Sequence, residues 1–200
     1  MEADQFIALA VFALVGSFTP GPNNAIATLT GANFGMRAAV PHMLGVPFGF
    51  ASMLLAAAGG VAALLLTHPV AAEVIRWCGT AYLLWLAFSL MRATDSKSLA
   101  SGPFRLPLSF SQSALFQYLN PKAWMLSAAT AGAFMAGEQP LVRGAWAAGI
   151  FAATAFASLV LWAALGAALR TWLARGARLR VFNVVMGASL AITALWMMLR

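Results

Sequence analysis

Charge is what this 200-residue sequence has least of: Asp, Glu, Lys and Arg together make up 8% of it, while 62% is hydrophobic. Soluble domains carry about 25% charged residues, so this composition cannot clothe a water-facing surface and suits a bilayer instead. Cysteine is nearly absent. Cys78 stands alone, which excludes an internal disulfide and a dithiol redox pair. Histidine occurs only at His42 and His68, distant from each other and from Cys78, so no metal site is expected. The five acids, Glu2, Asp4, Glu73, Asp95 and Glu138, all fall near the edges of apolar stretches. With no paired carboxylates, metal cluster or nucleophile beside a base, an enzyme lacks its materials, and no cofactor is implied. The net charge of +7 comes from basic residues scattered in short segments without interleaved aromatics, which argues against nucleic acid. A basic n-region is missing too: Glu2 and Asp4 precede a long apolar stretch, so no signal peptide is expected to be cleaved.

What the chain does have is length without charge. A helix crosses the hydrocarbon with about 20 apolar residues, and six stretches qualify, at approximately 5–31, 38–66, 74–91, 109–136, 144–169 and 181–199. The predicted fold class is an all-α integral membrane protein of six transmembrane helices. Lysine and arginine are retained in the cytoplasm, and eight of the twelve fall on one side: Arg37, Arg92, Lys97, Arg105, Arg170, Arg175, Arg178 and Arg180. Opposite them are Glu2, Asp4, Glu73 and Glu138 with Arg76, Arg143 and Arg200. This predicts a multi-pass protein of the bacterial inner (plasma) membrane with both termini periplasmic.

Two stretches match in length, interruption and reversed flanking charge. Between Asp4 and Arg37 lie 32 uncharged residues centred on Thr19-Pro20-Gly21-Pro22-Asn23-Asn24. Between Arg105 and Glu138 lie another 32 residues, charged only at Lys122 and centred on Asn120-Pro121-Lys122-Ala123-Trp124. Proline removes a backbone donor and clashes with the preceding turn, so helices one and four are predicted to break near mid-membrane. Three spans per half invert the second half, giving a 3+3 inverted repeat: repeat one over 1–91, a Pro- and Gly-containing linker over 92–108, and repeat two over 109–200. Unwound backbone at that depth survives only against protein or a wet cavity. A half-helix starting near Asn23 would aim free N–H groups at an amino-acid carboxylate, while Asn23, Asn24 and Asn120 offer neutral donors and acceptors. A plain proline kink in a packed helix is the competing reading.

Those motifs, with Gly35-Met36-Arg37, Gly45 through Gly49 and Trp77-Cys78-Gly79-Thr80-Ala81-Tyr82-Leu83, resemble the LysE family of amino-acid exporters over nearly the whole chain. The resemblance implies secondary-active export of small amino acids or their derivatives by an antiporter coupled to protons. Within the family the chain is similar to the branch exporting cysteine and O-acetylserine. Some relatives carry an acid just after the second glycine of span two, where this chain has Phe50, so a carboxylate relay there is not expected.

The substrate-binding candidates are Pro20, Gly21, Pro22, Asn23, Asn24, Asn120, Pro121, Lys122 and Trp124. Lys122 is the one charge near the centre of a span, where an ionisable group is a functional hypothesis by default; it could exchange protons or cap broken-helix carbonyls. His42 could shuttle protons or sit at the interface against a loop carbonyl. Gly45 and Gly49 form a GxxxG pair that could gate a pathway or simply let a helix pack closely. A passive channel or a structural subunit of a membrane complex remains the alternative function, and the oligomeric state is open, a homodimer included.

Overall fold

The computed structural model describes residues 2–60, 69–101 and 105–198, and those residues contain helices and no strand. Three helices are long and apolar enough to cross a bilayer: α3 (Met36–Ala58), α8 (Pro140–Leu173) and α9 (Arg178–Met198, apolar over Arg178–Trp196). The pair α1 (Ala3–Phe18) and α2 (Pro22–Phe34), bent by 51°, is long and apolar enough only when taken together. α4 (Pro69–Arg92) has 24 residues, about 36 Å of helix at 1.5 Å per residue, but Glu73 and Arg76 lower its apolarity. α5 (Ser96–Ser101), α6 (Phe110–Phe116) and α7 (Pro121–Thr130) are short.

The local chemistry of proline explains both breaks. A residue before proline is driven out of the helical region. Thr19, before Pro20, ends α1 at φ −58°, ψ 133°, and Gly21, before Pro22, is fully extended. Pro22 then opens α2 at its first position, where a missing N–H costs nothing. In the second stretch α6 starts with a reciprocal Ser109–Gln112 capping box and tightens into a 3₁₀ turn at Gln117–Leu119. Asn120, before Pro121, is extended, and its side chain caps the Lys122 N–H at 3.1 Å as α7 begins. A π-helical turn, Ala131–Met135, follows α7. The last residue of α2 is followed by Gly35 at φ 89°, a left-handed conformation that glycine adopts without strain, and the chain turns there into α3.

α2 is the centre of the molecule. Every residue from Pro22 to Asn33 is buried except Asn23, which is half-buried. Apolar burial gives little drive between helices in lipid, so small residues that admit close packing matter most. A methyl added to Gly31 would lie 2.1 Å from the Ala163 carbonyl oxygen, and one added to Gly166 would lie 2.1 Å from that of Thr28. α2 and α8 thus touch backbone to backbone. α4 and α9 pack on each other through Leu83, Leu86, Leu90, Leu190 and Ala194. Leu9, Phe50, Leu54 and Phe151 form a second apolar cluster between α1, α3 and α8. The outward faces carry Val15, Phe48, Leu115 and Val185, all exposed, as lipid contact requires.

The segment 92–108, read from sequence as a linker between repeats, is packed against the helices over its described residues. It contains α5 and buries Leu99, Leu106 and Leu108. Ser96 donates to the Asn33 carbonyl at 3.1 Å, fastening the segment to the end of α2.

Candidate functional site

The two breaks meet. Lys122, at the start of α7, reaches across to the end of α1 and donates from Nζ to the Thr19 carbonyl at 2.7 Å and to that of Pro20 at 3.5 Å. Its stem passes Gly21, where an added Cβ would lie 3.0 Å from Cδ. The carbonyls left over at a helix C-terminus carry partial negative charge, so an ammonium is a fitting partner. Asn24 closes the same break from the other side, donating to the carbonyls of Ser17 at 3.1 Å and Thr19 at 3.0 Å. Ser158 on α8 adds a bond to the Ser17 carbonyl at 2.9 Å, and the Ser17 hydroxyl lies 3.1 Å from that of Thr154.

A second set of bonds ties α2 to the segment before the other break. Asn23 Nδ2 donates to Gln117 Oε1 at 2.8 Å and Gln117 Nε2 returns a bond to Asn23 Oδ1 at 3.2 Å. Gln117 also donates to the Ser113 carbonyl at 2.8 Å. His42 is fully buried, with Nε2 3.1 Å from the Asn23 carbonyl and Nδ1 3.0 Å from the Ser113 hydroxyl. A carbonyl only accepts, so Nε2 carries the proton, and in the neutral ring Nδ1 accepts from Ser113.

Between these networks is a small cavity of about 50 Å³, lined in part by Ser17, Gly21, Asn23, Asn24, Gln117 and Lys122. It has room for a few waters at about 10–15 Å³ each and falls well short of the roughly 300–1,000 Å³ of a ligand pocket. Two helix starts, those of α2 and α7, border it. Gly21 offers no side chain to cap α2, so that end keeps its positive character toward the cavity. Among the described residues no group of three His, Cys, Asp or Glu side chains could hold a metal.

The candidates from sequence are distributed as follows. Gly21, Pro22, Asn23, Asn24, Asn120 and Lys122 line the cavity; Pro20 borders a larger neighbouring one. Pro121 is buried and sets the break. Trp124 is engaged elsewhere, its indole donating to the Tyr118 carbonyl at 2.9 Å to close the 3₁₀ turn. His42 is enclosed by protein, and its carbonyl partner belongs to the first turn of α2 rather than to a loop. Gly45 and Gly49 face α6, where added methyl groups would lie 2.4 Å from the Phe110 carbonyl oxygen and 2.3 Å from that of Ala114. Sequence reasoning missed Ser113, Gln117, Thr154 and Ser158. Their signal was present, since each pair is spaced i, i+4 in an apolar span and so shares one helix face.

Long apolar helices, two proline-broken segments and a small cavity between them define a multi-pass membrane protein built around interrupted helices. The chain belongs to the LysE type translocator family, which residues 14–200 match; that is a family of transporters rather than of enzymes. It is also similar to proteins named cysteine/O-acetylserine efflux protein from Escherichia coli (strain K12), Shigella flexneri serotype 5b (strain 8401) and Shigella sonnei (strain Ss046). Each is 32% identical over 111 residues, 56% of this chain and 55% of the relative. The match thus spans about half the length of these curated relatives. No solved structure matches the chain.

Proposed function

We propose that this protein exports small amino acids or their derivatives across the bacterial inner membrane by proton-coupled, secondary-active alternating access. The observation that carries the reading is the clasp of one broken helix by the other: Lys122 of α7 on the Thr19 and Pro20 carbonyls of α1, beside a cavity bordered by two helix starts. Half-helix starts near mid-membrane favour a carboxylate, and unwound carbonyls with the Asn23 and Gln117 amides favour an ammonium. A zwitterion meets both needs. The relatives' name, cysteine/O-acetylserine efflux protein, supports a small, uncharged side chain.

In this reading α1–α2 and α6–α7 are spans one and four of a six-span, 3+3 inverted repeat in a single transmembrane domain, with both termini periplasmic. The cavity is too tight for a substrate, so the conformation is a closed one and transport requires the breaks to part. Because α2 and α8 interlock, the moving bodies draw helices from both repeats: α2, α3 and α8 in one, α4 and α9 in the other. Lys122 and His42 are the groups available to carry the coupled proton.

Counterflow in proteoliposomes tests the function. A carrier gives saturable exchange, and competition among unlabelled amino acids ranks its substrates. Linear flux without counter-exchange would make the protein a pore, and no flux at all would make it a structural subunit. For coupling, Lys122→Gln is expected to flatten the pH profile of transport; an unchanged profile would leave Lys122 as a clasp only.

A further inference from the structure

A second cavity of about 500 Å³ opens between the break in α1, the outer face of α7 and the end of α9. It is lined by Thr19, Pro20, Met125, Ala129, Ile192 and Thr193, and it shares Lys122 and Leu126 with the small central cavity. Its size lies within the range of ligand pockets, roughly 300–1,000 Å³. We infer that this larger cavity is a water-filled vestibule of the transport path, with Lys122 and Leu126 as the septum and the carboxylate of a small amino acid as the group received at its floor. The inference deepens the proposed export function and rests on it.

Three observations carry it. Lys122 has three ammonium protons and hydrogen bonds to two carbonyls, of which the Pro20 contact at 3.5 Å is long. A lipid chain filling the vestibule would leave that ammonium short of acceptors, at the cost that keeps ionisable groups facing water inside membranes. Water supplies the missing acceptor. Secondly, the Pro20 carbonyl and the extended backbone around it border the vestibule, and irregular backbone at membrane depth is tolerated only against protein or water. Thirdly, the two residues common to both cavities, Lys122 and Leu126, have flexible side chains. The Lys122 stem lies over Gly21, and an added Cβ on Gly16 would come within 2.9 Å of Leu126 Cδ2, so rotation of these two side chains widens the passage between the cavities. A carboxylate arriving from the vestibule offers Lys122 a stronger, charge-assisted partner than the carbonyls it leaves.

Accessibility to a charged, membrane-impermeant methanethiosulfonate reagent tests this in the full chain reconstituted in vesicles. Cys78 is first replaced (Cys78→Ser), and single cysteines are placed at Ala129 in the vestibule and at Val185 on the exposed face of α9. Only a wetted thiol ionises and reacts, so Ala129→Cys should label at least about tenfold faster than Val185→Cys. Saturating substrate should slow that labelling severalfold. Equal rates would show a lipid-filled groove and overturn the vestibule; fast labelling without substrate protection would remove it from the path. Thr193→Cys, also in the vestibule lining, repeats the measurement should Ala129→Cys fail to fold. If Cys78→Ser itself shows no counterflow of any amino acid, the export function falls while the labelling contrast still reports on water.

Discussion

The reciprocal amide pair between Asn23 and Gln117 joins two segments 94 residues apart, and its strength can be worked out before it is measured. Interhelical hydrogen bonds inside membranes average about 0.6 kcal/mol each, so the two bonds together give a coupling of about 1.2 kcal/mol, roughly sevenfold in an equilibrium constant. The perturbation is a double-mutant cycle of Asn23→Ala, Gln117→Ala and the double variant. Gln117→Ala also breaks the bond to the Ser113 carbonyl, but that loss occurs in the single and the double variant alike and cancels. The assay is the unfolding free energy in detergent, measured at equal protein concentration. The double variant should be less destabilised than the sum of the singles by about 1.2 kcal/mol, because the shared pair is lost only once. Additivity within about 0.3–0.5 kcal/mol would refute the reasoning: the pair would then contribute nothing to holding the breaks together. Counterflow of the same variants tests the site itself. Asn23→Ala should insert normally and transport poorly; full transport would remove Asn23 from the path.

Other perturbations have equally definite outcomes. Lys122→Met removes an ammonium that donates to two carbonyls; charge-assisted bonds are worth about 1.5–3 kcal/mol, so counterflow should fall roughly 10–100-fold at matched protein levels in vesicles. Gly31→Val places a side chain into the Ala163 backbone and should lower the melting temperature and yield sharply, whereas Gly149→Val, with open space around an added Cβ, should leave both unchanged. Asp95 caps α5, accepting from the Ser98 N–H at 2.8 Å, and that bond and the Ser98 hydroxyl hold its carboxyl below the ordinary value of 3.8. A depressed carboxyl stabilises the folded form above its unfolded value and loses that contribution as pH falls through its folded value. The cap should therefore persist at neutral pH and release only below the usual aspartate range, which the carboxyl chemical shift of Asp95 would follow.

Both breaks were legible because proline acts locally. It needs no partner to remove a donor and extend its neighbour, so Pro20, Pro22 and Pro121 announced where the helices stop. What fills each break was not legible in the same way. Nothing near Lys122 in sequence says that it clasps carbonyls 102 and 103 residues earlier, because that pairing depends on how the spans pack. His42 shows a signal that was available and went unread. Its place near the start of span two suggested an interface, yet Ala39, His42, Met43 and Val46 recur at helix spacing and are all buried, which puts the imidazole on the inner face. Trp124 shows the opposite: depth in the sequence does not choose a side chain's direction, and its indole found a main-chain acceptor at Tyr118 instead of the cavity.

The enclosure of α2 bears on how the protein is made. Asn24, Thr28 and Asn33 lie on a helix whose far wall, α8, is synthesised more than 100 residues later. Until that wall arrives the nascent α1–α2 pair has no permanent seat. A chain stopped before Pro140 would leave those polar side chains facing lipid or the insertion machinery, so final docking belongs to the end of biosynthesis, and a truncated front half should be cleared by quality control rather than accumulate.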